Sequence, residues 1–192
     1  MEDLPMRRRF LTLAFAGLAA AALAPMARRA QAATGPALPE DIAFRGITGG
    51  ELRLADWRGR PVLVVNTASR CGFTRQYDDL QRLYDRFGEA GLVVLAVPSN
   101  DFNQELASDA AVAEFCEVNF GLSFPMAGIT PLRGAGAHPF YAWLSGTHGV
   151  APRWNFTKVL IGPDGRYRGS WGSMVNPMAP PITRAVEAAL RG

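Results

Sequence analysis

Cysteine and histidine are scarce in this chain, with two of each among 192 residues. His138 and His148 stand apart from Cys71 and Cys116. No zinc-type ligand spacing exists, so no metal is expected, and each histidine is expected at a surface or packing position. A Cys-x-x-Cys pair is also lacking, because Thr74 stands three places after Cys71. Internal repeats are absent, which excludes a solenoid. No long low-complexity linker interrupts the chain after Pro39, and one domain has ample length for a core.

The apparent basic surplus disappears when the N-terminus is set aside. The chain has 20 Lys+Arg and 17 Asp+Glu; residues 1–32 hold five arginines together with Glu2 and Asp3, leaving 15 of each sign. A nucleic-acid footprint needs a basic patch or stripe, and none is visible. The removed segment has its own logic. Arg7-Arg8-Arg9 precedes Phe10-Leu11 and an alanine-rich apolar run to about Met26, followed by Ala30-Gln31-Ala32. That pattern reads as an export signal, and its paired arginines resemble the bacterial twin-arginine type. The expectation is a signal over 1–32, a linker over 33–38 and a domain over 39–192. The mature protein is expected in the periplasm or otherwise exported, without stable membrane association. In such a compartment two cysteines can form a structural disulfide.

Residues 42–45 and 51–54 flank Thr48-Gly49-Gly50 as a hairpin. A continuous apolar run over 62–66 reads as a buried strand, followed by a helix over about 75–88 and a second apolar strand over 92–97. Strand, helix, strand implies a parallel pair at the centre of a sheet. Ser108-Asp109 caps a helix to about Asn119 with Val112, Phe115 and Cys116 on one face. A short helix over 140–144, a hairpin of 156–161 with 166–170, and a helix over 179–190 complete the chain. This order predicts an α/β fold: a thioredoxin-like sandwich with a central mixed sheet and an N-terminal β-hairpin extension.

Cys71 lies between the strand at 62–66 and the helix that follows. There it meets unpaired N–H groups and the positive end of the helix dipole, which favour the nucleophilic thiolate. Parallel pairing brings the loop over 98–105 to the same sheet edge, where α/β folds bind ligands. Trp154 and Asn155 directly precede the strand at 156–161. Trp, Asn and Gln side chains are N–H donors, and donors aimed at sulfur stabilise developing negative charge. A Trp beside a strand also serves as a packing anchor, and a loop Gln is often only solvated.

The segments Val64-Val-Asn-Thr-Ala-Ser-Arg-Cys-Gly-Phe-Thr74, Pro98-Ser-Asn-Asp-Phe-Asn-Gln-Glu105, Phe124-Pro-Met126, His138-Pro-Phe-Tyr141 and Trp154-Asn-Phe-Thr-Lys158 resemble the glutathione peroxidase family in order and spacing. The resemblance covers about residue 39 to the C-terminus. It implies a peroxidatic centre of Cys71, Gln104, Trp154 and Asn155, with cysteine where some members carry selenocysteine. The 98–105 loop departs from the family pattern: Asp101 replaces Gln, Leu106 replaces Pro, and one residue is missing before Gln104. Asn100 or Asn103 is the alternative donor. The short stretch between Leu144 and Trp154 resembles compact members without the insertion associated with tetramers, so a monomer or weak dimer is expected.

Cys116 has two readings. Free cysteine is often a small buried hydrophobe. In its Phe-Cys context the residue also resembles the resolving cysteine of two-cysteine family members. A disulfide needs Cα atoms within about 7 Å, so an intact helix over 109–119 would have to open locally in each cycle. The resemblance implies reduction of hydrogen peroxide and organic hydroperoxides in antioxidant defence. No organic cofactor is implied, and electrons come from glutathione or a thioredoxin-like protein. The rivals are an envelope thiol–disulfide oxidoreductase, disfavoured by Thr74, and a non-enzymatic exported domain with a static disulfide.

Overall fold

The structure, a computed structural model, describes Met1 and residues 35–192. The export signal expected over 1–32 therefore lies, Met1 apart, outside the described residues. A separate two-stranded antiparallel sheet pairs β1 (Ala43–Arg45) with β2 (Glu51–Arg53), and a 3-10 turn over Leu54–Trp57 follows. The main sheet has four strands: β3 (Val62–Thr67), β4 (Val93–Pro98), β5 (Lys158–Ile161) and β6 (Tyr167–Trp171). Their spatial order is β4-β3-β5-β6. The sheet is mixed, as expected: β3 runs parallel to β4 from Val62↔Val93 to Thr67↔Pro98, and β5 is antiparallel to both β3 and β6.

The unbroken apolar character of β3 has a direct cause. Both of its faces are covered, so residues of either parity are buried. Leu63 and Val65 face a cluster with α1 (Gln76–Phe87), α2 (Asp109–Phe120) and α4 (Pro180–Leu190). Val62 and Val64 face a cluster with α3 (Pro139–His148) and Phe44 of the hairpin. Cys71 and Cys116 both belong to the first cluster.

Two elements differ from the sequence expectation. The helix expected over 140–144 runs for ten residues, Pro139–His148. Its start is set by His138, whose Nδ1 accepts from the Phe140 amide at 3.2 Å and whose Nε2 meets the Ala43 carbonyl at 2.9 Å. The imidazole also stacks on Phe44 with centroids 4.0 Å apart. The strand expected over 156–161 begins at Lys158, because Phe156 takes a left-handed φ of 60°. Trp154 and Asn155 thus lie in a turn, not at a strand end. The remaining elements match within a residue or two.

Helix α2 is continuous and firmly ended. Ser108 Oγ accepts from the Ala111 amide at 3.3 Å. At the other end Gly121 adopts φ 55°, and its amide meets the carbonyls of Cys116 and Glu117, each at 3.1 Å. A left-handed residue after the last turn satisfies carbonyls that otherwise lack partners.

Candidate active site

Cys71 sits where β3 gives way to a run of tight turns before α1. The amides of Thr74, Gln76 and Tyr77 bond the carbonyls three residues back. Thr74, in the place of a second thiol, holds this turn together. Its hydroxyl accepts the Cys71 N–H at 3.1 Å and lies 2.9 Å and 2.7 Å from the carbonyls of Ala68 and Cys71. The Cys71 sulfur is mostly enclosed, the residue being 8% exposed, and accepts from the Phe73 amide at 3.5 Å. Both cysteines are free thiols.

The 98–105 loop comes to Cys71 through two contacts. The Gln104 carbonyl accepts from the Arg70 amide at 2.8 Å. Glu105 Oε1 accepts from the Ser69 amide at 3.0 Å. With Gln104 fixed beside Arg70, its side-chain Oε1 accepts from Asn155 Nδ2 at 3.0 Å. The alternative donors Asn100 and Asn103 lie on the same loop. Asn100 Oδ1 accepts from the Glu105 amide at 3.1 Å, and Asn103 occupies a left-handed turn position at φ 56°.

Asn155 is fully buried, whereas Trp154 is 40% exposed and packs against Phe102 at 5.2 Å. Their turn is anchored by a residue whose role sequence reasoning missed. Asn66, at the end of β3, donates from Nδ2 to the Trp154 carbonyl at 3.1 Å and accepts at Oδ1 from the Thr157 amide at 3.1 Å. Its carbonyl also accepts from Phe156 N–H at 2.6 Å. Ser173 Oγ donates to the Asn155 carbonyl at 2.6 Å. Only the motif containing Asn66 was visible beforehand, because a partnership spanning about ninety residues leaves no local periodicity.

Phe73, Trp154, Met174 and Val175 line an open, largely apolar depression of about 360 Å³ with Arg153 on it. No cluster of His, Cys, Asp or Glu suited to a metal ion exists among the described residues. None of the helices among them is long and apolar enough to cross a membrane.

Residues 40–145 match the family model described as glutathione peroxidase. The chain belongs to the glutathione peroxidase family. Its relatives include the glutathione peroxidase homolog BsaA of Bacillus subtilis, 40% identical and aligned over 71% of this chain and 89% of that protein. Another is the hydroperoxy fatty acid reductase gpx1 of Synechocystis sp., 38% identical over 71% of this chain and 87% of that protein. Among solved structures, the apo form of Trgpx superposes with a TM-score of 0.62 at 32% identity, covering 79% of this chain and 95% of that one. The protein is accordingly a thiol-dependent peroxidase with a thioredoxin-like fold. The envelope oxidoreductase and static-disulfide readings give way to it.

Proposed function

We propose that Cys71 is the peroxidatic sulfur, with Gln104, Trp154 and Asn155 supplying donors around it and Cys116 resolving the oxidised form. The observation that carries this reading is the pair of contacts joining Gln104 to both sides of the site: its carbonyl to Arg70, beside Cys71, and its side chain to Asn155. In the first step the Cys71 thiolate attacks one peroxide oxygen and the O–O bond breaks. The other oxygen leaves with a proton as water or alcohol, and Cys71 becomes a sulfenic acid. Cys116 then displaces that oxygen as water to form a disulfide, which an external dithiol reduces by exchange.

The apolar depression lined by Phe73 and Trp154 suits the carbon skeleton of an organic hydroperoxide, in keeping with the fatty acid hydroperoxide named for the Synechocystis relative. Two cysteines and the compact Leu144–Trp154 stretch favour a thioredoxin-like reductant over glutathione. The sulfur carries the redox chemistry, so no prosthetic group is needed. The export motif at Arg7-Arg8-Arg9 favours action in the periplasm, and the compact Leu144–Trp154 stretch favours a monomer or weak dimer.

The test is a peroxidase assay of the 33–192 protein with glutathione and with a thioredoxin system in parallel, alongside Cys71→Ser. Turnover with the dithiol system and none in Cys71→Ser is expected. Substantial activity in Cys71→Ser would end the assignment of the peroxidatic sulfur, and glutathione-only turnover would end the reductant assignment.

A further inference from the structure

The inference here rests on the donor role proposed for Trp154. Asn66 Nδ2 and the Thr157 hydroxyl hold the carbonyl of that residue at 3.1 Å and 3.0 Å. These bonds fix its main chain and leave two side-chain torsions to be set. The residue is 40% exposed, so the direction of its N–H depends on what packs against the ring.

Phe102 packs against the indole, with ring centroids 5.2 Å apart and planes inclined by 49°, a favourable aromatic arrangement. Phe102 is itself only half-buried, on the 98–105 loop. Arg133 covers it: the guanidinium carbon lies 4.4 Å from the Phe102 ring centroid, which is cation–π geometry. Arg133 belongs to a separate segment, and that segment is laced to the loop. The Thr130 amide donates to the Pro98 carbonyl at 2.8 Å, and the Leu132 amide donates to Asp101 Oδ2 at 2.7 Å. The Arg133 guanidinium donates to the Asp101 carbonyl, and its Nε lies 3.9 Å from Asp101 Oδ2. Asp101 thus holds both the main chain beside Arg133 and the charged end of its side chain. A planar guanidinium gripped in this way is suited to stay stacked on a ring, although the Arg133 side chain is 51% exposed.

We propose that Arg133 is a positioning residue for the first step at Cys71: by holding Phe102 it fixes the indole of Trp154, and with it the N–H offered to the peroxide. Arg133 acts through the Phe102 ring and takes no part in the bond changes. A cation–π contact at an exposed site shifts an equilibrium by about two- to fivefold. Its removal should lower the fraction of protein with the indole in place by about that factor.

A double-mutant cycle of Arg133→Met and Trp154→Phe tests this. Phenylalanine keeps an aromatic ring against Phe102 but has no N–H to aim. Each reduced protein is mixed with stoichiometric hydrogen peroxide, and the peroxide left in quenched samples gives the rate constant of the first step without any reductant. Arg133→Met is expected to slow this step about two- to fivefold, and to change nothing further in the Trp154→Phe background. Equal slowing in both backgrounds would mean that Arg133 acts on Cys71 or on the fold at large, and overturns the positioning role. A wild-type rate in Arg133→Met, with Trp154→Phe slow, also overturns it and leaves the Trp154 donor standing. A wild-type rate in Trp154→Phe overturns the donor and the inference together. Ring placement is read separately by fluorine NMR of protein labelled with 5-fluorotryptophan. Of the four tryptophan signals, the one lost in Trp154→Phe is expected to shift in Arg133→Met while the other three hold. An unmoved Trp154 signal overturns the proposal. If circular dichroism shows Arg133→Met unfolded, Arg133→Gln takes its place in both measurements, with the same outcomes.

Discussion

Asn155 Nδ2 donates to Gln104 Oε1 at 3.0 Å, so the two amides outside the Cys71 loop are set by each other. With its oxygen occupied, Gln104 keeps its own NH₂ group free to donate. In the proposed role, the pair therefore sets which end of Gln104 would meet a peroxide oxygen. Asn155→Asp places an acceptor opposite an acceptor and puts a negative charge in the site. Its kcat/KM for hydrogen peroxide is expected to fall by ~10²-fold or more, the scale of losing one donor aimed at developing charge. Steady-state kinetics measure this; Asn155→Asp with wild-type kcat/KM would separate the pair from catalysis.

Asn66 holds the same turn from below. Its side chain satisfies the Trp154 carbonyl and the Thr157 amide, and Thr157 is itself buried. Removing the side chain leaves the Thr157 amide unpaired and the Trp154 carbonyl with the Thr157 hydroxyl at 3.0 Å, and Phe156 in a left-handed conformation with less to hold it. Asn66→Ala is expected to lose ~1–3 kcal/mol of stability from the orphaned Thr157 amide, with a further loss of kcat as Trp154 and Asn155 drift. Urea unfolding checks the first effect and peroxide turnover of the still-folded protein the second. A stability loss below about 0.5 kcal/mol would mean that water satisfies the turn.

The strands, the parallel pair and the position of Cys71 were legible in the sequence because they rest on local pattern: apolar runs, a helical period and a cap. The site's supports were less legible. Asn66, Glu105 and Ser173 act across long sequence separations, and a polar residue in an apolar stretch does not announce its partner. Helix α3 ran longer than its composition suggested because His138 caps it and Phe140, Tyr141 and Leu144 are buried. Strand β5 was shorter because the tertiary bond from Phe156 to Asn66 imposes a backbone conformation that no propensity favours.

His138 makes the fold sensitive to acid. Its two bonds require a neutral ring, with Nδ1 accepting and Nε2 donating, and burial lowers its pKa against the raising effect of the Ala43 carbonyl. The unfolded chain, with histidine near pH 6.5, binds this proton more readily than the folded one. Stability from this group is therefore complete above about pH 6.5 and declines as pH falls toward the lower folded value. His148, also lowered by burial, acts in the same direction, whereas the raised Glu105 carboxyl acts in the opposite one. Urea midpoints of the wild type and His138→Gln, compared from about pH 7.5 down to about pH 5, are expected to converge on acidification. Parallel curves would show that His138 keeps its unfolded affinity for the proton.

In the proposed resolving role, Gly121 bears on how easily Cys116 leaves its helix. The amide of this left-handed residue bonds the Cys116 carbonyl itself, and a Cβ at this position would touch nothing within 4 Å. Gly121→Ala therefore carries a conformational penalty without a clash, about 1 kcal/mol for an L-residue held in the left-handed region. The penalty falls on the folded last turn of α2 and is relieved when that turn opens. If opening precedes disulfide formation, the open population rises about fivefold, and the rate of Cys71–Cys116 bond formation rises with it. Sulfenic acid formation at Cys71 should not change, since nothing at that sulfur is altered. Amide exchange at residues 116–120 gives the independent measure, because it reads the same opening. Matched increases in exchange and in disulfide rate tie resolution to the fraying of α2. Faster exchange with an unchanged disulfide rate would show that bond formation does not pass through this opening.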